Sequence, residues 1–366
     1  MTAPASEMRA RLESLDDSLS GVDVDACIVT HGPSVRYLTG FTGSSGFAFH
    51  RCGAGTTLIT DFRYEEQAAL ETPAHVSVHI SREGWIAALG DICEGMPALR
   101  VAFEPEHLTV LERDRLAETL ERFRFQGEKG LVGELRAVKS AGEIASIRKA
   151  AGVARSALEA LLASVDWRAG VAEIEVAVAL ESQLRRAGSE GPPFEVIVAS
   201  GDRTSLPHAR PGDRRIAEGG LLLIDFGATV DGYCCDITRT FSIGDPADWQ
   251  VEVHARVLEA QEAALAAVEP GVLAADVDGA ARDALASHDL VEYFGHSTGH
   301  GIGLEIHEDP RVSARSTDVL EPGNVVTIEP GVYLPGRGGV RIEDDVAVTE
   351  TGSDVLTSVS RDLIRL

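Results

Sequence analysis

The sequence predicts two domains: an α/β layer domain over residues 1–133, and a second region, residues 134–366, in which long helices precede acidic β-hairpins. Three observations carry this expectation. At 366 residues the chain is long for one hydrophobic core and comfortable for two. Its first third alternates short apolar runs with helical patterns, as layered α/β domains do. Its C-terminal part sets carboxylates on strand-like runs joined by glycine-containing turns, with histidines clustered between them.

In chain order, residues 26–30 (ACIVT), 46–50 (GFAFH), 57–60 (TLIT), 76–80 (VSVHI) and 101–103 (VAF) read as strands, and residues 64–71 and 111–122 as helices. The first domain ends near residues 130–134, where LVGELRAVKS leads into a long helical pattern. Ser140 and Glu143 have capping-box spacing, so a helix starts there and runs through EIASIRKAAGVARSALEALLA. The stretch ALEALLASVDWRAGV, from Ala157, is echoed by AQEAALAAVEPGV, from Ala260; each precedes another helical pattern and then strands. Two related halves would place one site at their junction.

Composition narrows the partners. A net charge of −25 repels phosphate backbones and anionic membranes, which excludes nucleic acid and membrane surfaces as expected partners. The opening MTAPASEMRARLESLDDSL lacks a signal peptide's apolar core, and no apolar run reaches the length of a membrane span. Cytoplasmic residence is the expectation. The five cysteines, Cys27, Cys52, Cys93, Cys234 and Cys235, show no CxxC spacing, so neither a disulfide framework nor a zinc knuckle is expected. Cys234 and Cys235 are neighbours on a strand, point to opposite faces and read as packing residues.

The chemistry begins in GLLLIDFGATVDGYCCDITRTFS, residues 220–242, a β-hairpin with its turn at Asp231-Gly232. A turn centred between Val230 and Asp231 puts Asp225 opposite Asp236; a shift of one residue makes them diagonal neighbours on the same face. Either register brings the carboxylates within roughly 4.5–8 Å at Cβ. Unless protonated, two carboxylates so close on an apolar strand call for a cation. A second hairpin, VVTIEPGVYLPGRGGVRIEDDVAV over residues 325–348, repeats the device. A loop centred on Gly336 pairs Glu329 with Glu343, whereas Asp344 faces away and Asp345 shares the face of Glu343 further along. Either hairpin alone also fits a solvated acidic strand. Between them lies HSTGHGIGLEIHE, with His296, His300 and His307 among glycines that permit close backbone approach. One of these histidines supplies a nitrogen ligand, and the others can orient or protonate a substrate.

The run DFGATVDGYCCDITRT, HSTGHGIGLEIHE, IEPGVY and RIEDD resembles the pita-bread metallopeptidases, the family of methionine aminopeptidase, prolidase and aminopeptidase P. The resemblance covers about residues 134–366 and implies an α+β pita-bread catalytic domain. It implies that Asp225 holds one of two divalent cations through both oxygens, that Asp236 and Glu343 bridge the pair, and that His300 and Glu329 complete the ligand set. Manganese suits so many oxygen ligands, with cobalt or zinc as alternatives. His208, in LPHARPGD, matches a histidine that holds substrate and tetrahedral intermediate. His307 matches a contact to the scissile carbonyl, and His296 one that lines the pocket after the cut. Arg341 looks like an arginine in an ionic network beside the metals. Glu329 carries the nucleophile's proton to the leaving nitrogen. The complete ligand set argues against the metal-free creatine hydrolases and peptide-binding modules that share this fold.

The N-terminal segment GFTGSSGFAFHRCGAGTTLITDFRYEEQA is similar to the first domain of aminopeptidase P. This favours an Xaa-Pro aminopeptidase acting on peptides with proline in second position, with Xaa-Pro dipeptidase as the alternative; a homodimer is expected by the same resemblance. A dipeptidase must also capture the proline carboxylate, a task open to Arg341 or Arg311.

Overall fold

The structure, a computed structural model, describes residues 3–167 and 170–366. The chain divides into two compact units, Met1–Arg136 and Ala137–Leu366.

In the first unit, β1 (Ala26–Val29), β2 (Gly46–Arg51), β3 (Gly55–Asp61), β4 (Val76–Ser81), β5 (Arg100–Phe103) and β6 (Arg124–Gly127) form one sheet, ordered β4-β3-β2-β1-β5-β6. The β1–β2 and β2–β3 pairs are antiparallel and the others parallel. The five expected strands all form, each within two residues of its expected bounds. The unit's other elements are α1 (Ala5–Gly21), α2 (Gly32–Thr39), α3 (Glu65–Glu71), α4 (Trp85–Ile92) and α5 (Val110–Thr119), of which α4 and α5 share a core with the sheet through Leu89 and Leu116.

Two expected helices differ at their ends. Residues 62–64 form a 3₁₀ turn before α3, because Asp61 caps the Arg63 N–H. Helix α5, with a complete capping box between Thr109 and Glu112, stops at Thr119 rather than 122, where Leu120 and Phe123 turn into the core ahead of β6. Strand β6 is polar and largely exposed, so no apolar run announces it. Helix α1 was not anticipated, although Met8, Leu12, Leu15 and Leu19 recur at helical spacing and are buried.

After α6 (Gly133–Ala137), the second unit opens with α7 (Ala141–Ser164), capped reciprocally by Ser140 and Glu143 as the spacing requires. Next come α8 (Glu173–Ala187), β7 (Ile197–Ser200), β8 (Leu221–Val230), β9 (Tyr233–Ser242), α9 (Asp248–Ala267) and α10 (Ala274–Ala286). The strands β10 (Gly299–Gly301), β11 (Glu308–Val312), β12 (Val325–Ile328), β13 (Gly331–Leu334), β14 (Gly338–Arg341), β15 (Asp344–Thr349) and β16 (Gly352–Val355) complete it. The sheets run β7-β8-β9, β11-β10-β12-β15-β16 and β13-β14. Pair α7–α8 shares a core with β8 and β9, and pair α9–α10 shares a second core with β12 to β15. The sequence echo therefore marks a repeated helix pair, although Arg168 and Ala169 within it lie outside the described residues.

The first hairpin settles on the shifted register. Val230 pairs with Tyr233 across Asp231 and Gly232, both at positive φ (53° and 79°), the type I′ conformation that suits a two-residue turn. Asp225 thus faces Thr238, Asp236 faces Gly227, and the two aspartates are diagonal. The second hairpin keeps its expected register, with Gly331 opposite Arg341 and Leu334 opposite Gly338.

Close backbone approach explains the glycines around His300. A Cβ on Gly299 would stand 1.8 Å from the Thr327 carbonyl oxygen, and one on Gly301 would stand 2.3 Å from the Asp309 carbonyl oxygen. Neither obstacle is a side-chain end that can swing aside. Gly299→Ala should destabilise the protein by about 3 kcal/mol or more, at the upper end of overpacking penalties. Urea unfolding measures this, and a parental midpoint would contradict it.

Candidate metal centre and cavity

Alternation on the first hairpin sorts its side chains. Leu222, Ile224, Phe226, Cys235 and Ile237 enter the core beneath α7 and α8, which turns Asp225, Asp236 and Thr238 to the opposite face. Cys234 joins a separate apolar cluster, so the two cysteines do part to opposite sides. Both thiols are pushed up by burial, Cys234 to about 12, and all five cysteines are free.

Glu329 and Glu343 sit where the second hairpin's ladder breaks, between β12 and β13 and between β14 and β15. Their amides are diverted: the Glu329 N–H donates to the Thr298 carbonyl (2.7 Å), and the Glu343 N–H to the Thr238 carbonyl (3.2 Å). These bonds join the second hairpin to the histidine segment on one side and to the first hairpin on the other. Asp344 turns away into a buried network with Arg239, Gln261 and Arg361. Asp345 lies beside the centre, where its Oδ2 accepts the Asp236 N–H at 3.1 Å.

The candidate ligand, catalytic and substrate residues singled out in the sequence line one cavity of about 630 Å³: His208, Asp225, Asp236, His296, His300, His307, Glu329, Arg341 and Glu343, with Arg311 beside them. Asp236, His300 and Glu343 each offer a ligand atom within 4.8 Å of the others. His300 Nε2 lies 3.8 Å from Asp236 Oδ2 and 3.7 Å from Glu329 Oε1, too far for hydrogen bonds and suited to ligands converging on a shared ion. His300 Nδ1 lies 3.0 Å from the Gly301 carbonyl, which can only accept. The proton is thereby placed on Nδ1, and Nε2 is left with its lone pair.

Four carboxylates here face one guanidinium, that of Arg341. Its Nη2 donates to Asp225 Oδ2 (2.5 Å), its Nη1 to Tyr333 Oη (2.8 Å) and to the Pro207 carbonyl (3.3 Å), and its Nε to Thr238 Oγ1 (3.0 Å). Thr238 then donates to Glu343 Oε2 at 2.6 Å. Tyr333 accepts from Arg341, so its own proton points to His296 Nε2, 2.8 Å away; His296 Nδ1–H donates to the Ser297 carbonyl. Burial holds His296 and His300 neutral, each pushed down to about 4, and also lowers His307, whose ring packs edge-on against His300.

The donor set fits divalent cations. Asp225 Oδ1 and Asp236 Oδ1 are buried without a hydrogen-bond partner. Burial and then the charges of Glu343 and Asp225 push Asp236 well above the carboxylate range; burial, then Glu329 and Asp225, do the same to Glu343. Burial raises Glu329 to about 8. Such a cluster needs either protons or cations between its oxygens.

Sequence reasoning missed Thr238 and Tyr333. Each stood in a quoted motif, and Thr238 shares the face of Asp236 two residues on; no spacing rule marks a hydroxyl as a relay.

A carboxylate-rich centre beside a histidine-lined cavity, on two helix-covered half-sheets, defines a metal-dependent hydrolase of the pita-bread class. Residues 145–350 match the metallopeptidase family M24, and residues 11–138 match the creatinase/prolidase N-terminal domain. The chain belongs to metallopeptidase family M24. It is 36% identical to an Xaa-Pro dipeptidase of Pyrococcus horikoshii over 98% of this chain and 99% of that one. Among solved structures, an Xaa-Pro dipeptidase from Bacillus anthracis superposes with TM-score 0.93 at 39% identity, covering 98% of this chain and 100% of the other. An X-Pro aminopeptidase from Thermotoga maritima follows at TM-score 0.89 and 37% identity, covering 97% and 99%. The expected architecture, a creatinase-type N-terminal domain before a pita-bread catalytic domain, is borne out. Among the described residues, no helix is long and apolar enough to cross a membrane.

The raised Glu329 makes the cation-free protein pH-sensitive. Its folded pKa of about 8 lies above the unfolded value near 4.3, so the native state binds the extra proton between them and stability falls as pH rises through that window. His296 and His300 oppose this only below about pH 6.5, where unfolded imidazoles hold protons. Between pH 6.5 and 8, chelated protein should lose about 1–2 kcal/mol from Glu329 alone, and a divalent cation should abolish the loss. Urea unfolding with and without chelator measures this; a midpoint that rises with pH in chelated protein would refute it.

Proposed function

We propose that this chain is a proline-directed metallopeptidase, and specifically an Xaa-Pro dipeptidase. Sequence motifs put aminopeptidase first; the near full-length likeness to dipeptidases from Pyrococcus horikoshii and Bacillus anthracis favours the other order. The observation that carries the choice is the contrast between two arginines. Every nitrogen of Arg341 is engaged in the buried network, whereas Arg311 lines the cavity, is exposed and, among the described residues, has no carboxylate within ion-pair distance. It is the cation free to take the carboxylate of a proline immediately beyond the cut. The Thermotoga maritima neighbour supports the second reading, an aminopeptidase that leaves that end open.

In this reading Asp225, Asp236, His300, Glu329 and Glu343 hold two divalent cations, with manganese favoured by the oxygen-rich set and cobalt or zinc as alternatives. When bound, the cations supply Lewis-acid polarisation and a water that ionises near neutral pH. His208 and His307 hold the carbonyl before proline and the charge that develops on its oxygen. Glu329 takes a proton from the attacking water and delivers it to the imino nitrogen that leaves. Arg341, through Asp225 and through Thr238 to Glu343, keeps two ligands aimed inward. Neutral His296, fixed by Tyr333, forms a wall for the proline ring; an Xaa-Pro bond has no N–H to recognise, so shape must do this work. The same reading takes residues 1–133 as the N-terminal domain and 134–366 as the catalytic one, in a cytoplasmic homodimer without nucleic-acid or membrane partners.

Assays of Xaa-Pro against Xaa-Pro-Yaa peptides decide between the two activities. A dipeptidase should cleave the tripeptide at least about tenfold less efficiently, and Arg311→Ala should raise KM for Xaa-Pro about 10–100-fold, as expected for losing a charge-assisted bond of about 1.5–3 kcal/mol. Equal cleavage of both peptides and an unaffected Arg311→Ala would establish the aminopeptidase instead.

Chelation should abolish cleavage, and manganese should restore it; indifference to both would remove the metal from the mechanism. Asp236→Ala and Glu343→Ala should lose activity while Cys234→Ala retains it.

A further inference from the structure

Helix α10 carries a part-buried ion pair that the proposed reaction does not use. Arg282, one turn after Asp278, donates from Nε to Asp278 Oδ2 (2.6 Å) and from Nη2 to Oδ1 (3.2 Å). Asp278 is fully buried. Burying the Asp278 carboxylate costs hydration that a partly exposed guanidinium offsets incompletely, so stability alone explains the pair poorly.

The pair's other bonds converge on one short segment. Arg282 also donates to the carbonyls of Phe294 (3.1 Å) and His296 (2.6 Å), and its guanidinium carbon lies 4.4 Å from the centroid of the Phe294 ring. Asp278 Oδ1 accepts from both the N–H (3.1 Å) and the hydroxyl (2.8 Å) of Thr298. A donor fork therefore grips residues 294 and 296, and an acceptor grips residue 298. The Thr298 carbonyl passes this restraint on by accepting the Glu329 N–H. The segment so held is the one that brings His296 to the cavity.

We infer that Asp278 and Arg282 are positioning residues: by fixing the backbone on both sides of His296 they set its place in the cavity and hence the selectivity for proline after the cut. This rests on the proposal that His296 walls the proline pocket. Neither residue lines the cavity, so both act through the backbone they hold.

Arg282→Lys in the full chain is the test. Lysine keeps a positive charge beside Asp278, yet its compact ammonium cannot reproduce the planar fork that reaches two carbonyls. The ratio of kcat/KM for Xaa-Pro over Xaa-Ala should fall about tenfold or more, chiefly through KM for Xaa-Pro, with cation content by elemental analysis unchanged. Amide hydrogen exchange over residues 294–298 should accelerate about tenfold or more, with the interior of α7 as at present. Asp278→Asn, which keeps an acceptor for Thr298 and removes the charge, serves if the lysine variant does not fold. Both substrates slowing by one common factor, or parental exchange at residues 294–298, would overturn the inference. If the parent protein cleaves neither peptide, the proline assignment fails, and the exchange measurement by itself decides whether the clamp exists.

Discussion

Mutual repulsion among Asp225, Asp236, Glu329 and Glu343 is the constraint around which the second unit is organised. Two unit charges about 4 Å apart repel by about 4 kcal/mol at an effective dielectric of 20, and burial adds the loss of hydration. One guanidinium cannot offset four carboxylates. The carboxylates cannot move apart either, because a type I′ turn and a loop about Gly336 pin the strands that carry them. Rigid registers hold the acids where free chains would separate, and the misfit is relieved by protons or divalent cations. Affinity for a cation is thus a property of the hairpins before it is a property of any single side chain.

Arg341 resolves the part of this conflict that cations leave. It neutralises Asp225 directly and reaches Glu343 through the Thr238 hydroxyl, while its remaining donors fix Tyr333 and so the tautomer of His296. One residue thereby links the charge balance of the metal centre to the shape of the cavity beside it. The Arg239–Asp344 pair does related work from beneath, since Arg239 Nη1 also donates to the Glu343 carbonyl at 2.5 Å.

Much of this was legible in the sequence where local rules apply. Strand alternation sorted Asp225 and Asp236 from Phe226 and Cys235, and the capping box placed the start of α7. The register of the first hairpin was narrowed to two alternatives but not decided, because both put the aspartates on one face; the positive φ of Asp231 and Gly232 decides it. What stayed hidden joins residues far apart in the chain. Thr238 to Glu343 spans 105 residues and Asp278 to Thr298 spans 20, and hydroxyl and carboxylate partners at such separations follow no periodicity. Polar strand β6 was missed for the opposite reason: an exposed edge strand needs no apolar run.

The break in the second hairpin at Glu329 and Glu343 has a consequence for how this scaffold tolerates change. Main-chain amides fasten those two positions to the histidine segment and to the first hairpin, and Arg239 adds a bond to the Glu343 carbonyl. Exchanging either glutamate for glutamine removes a charge from a crowded pocket and leaves every main-chain bond at these positions in place. Architecture and reactivity are therefore separable by mutation, and descendants of this frame can shed hydrolysis while keeping a ready-made concave shell for peptides.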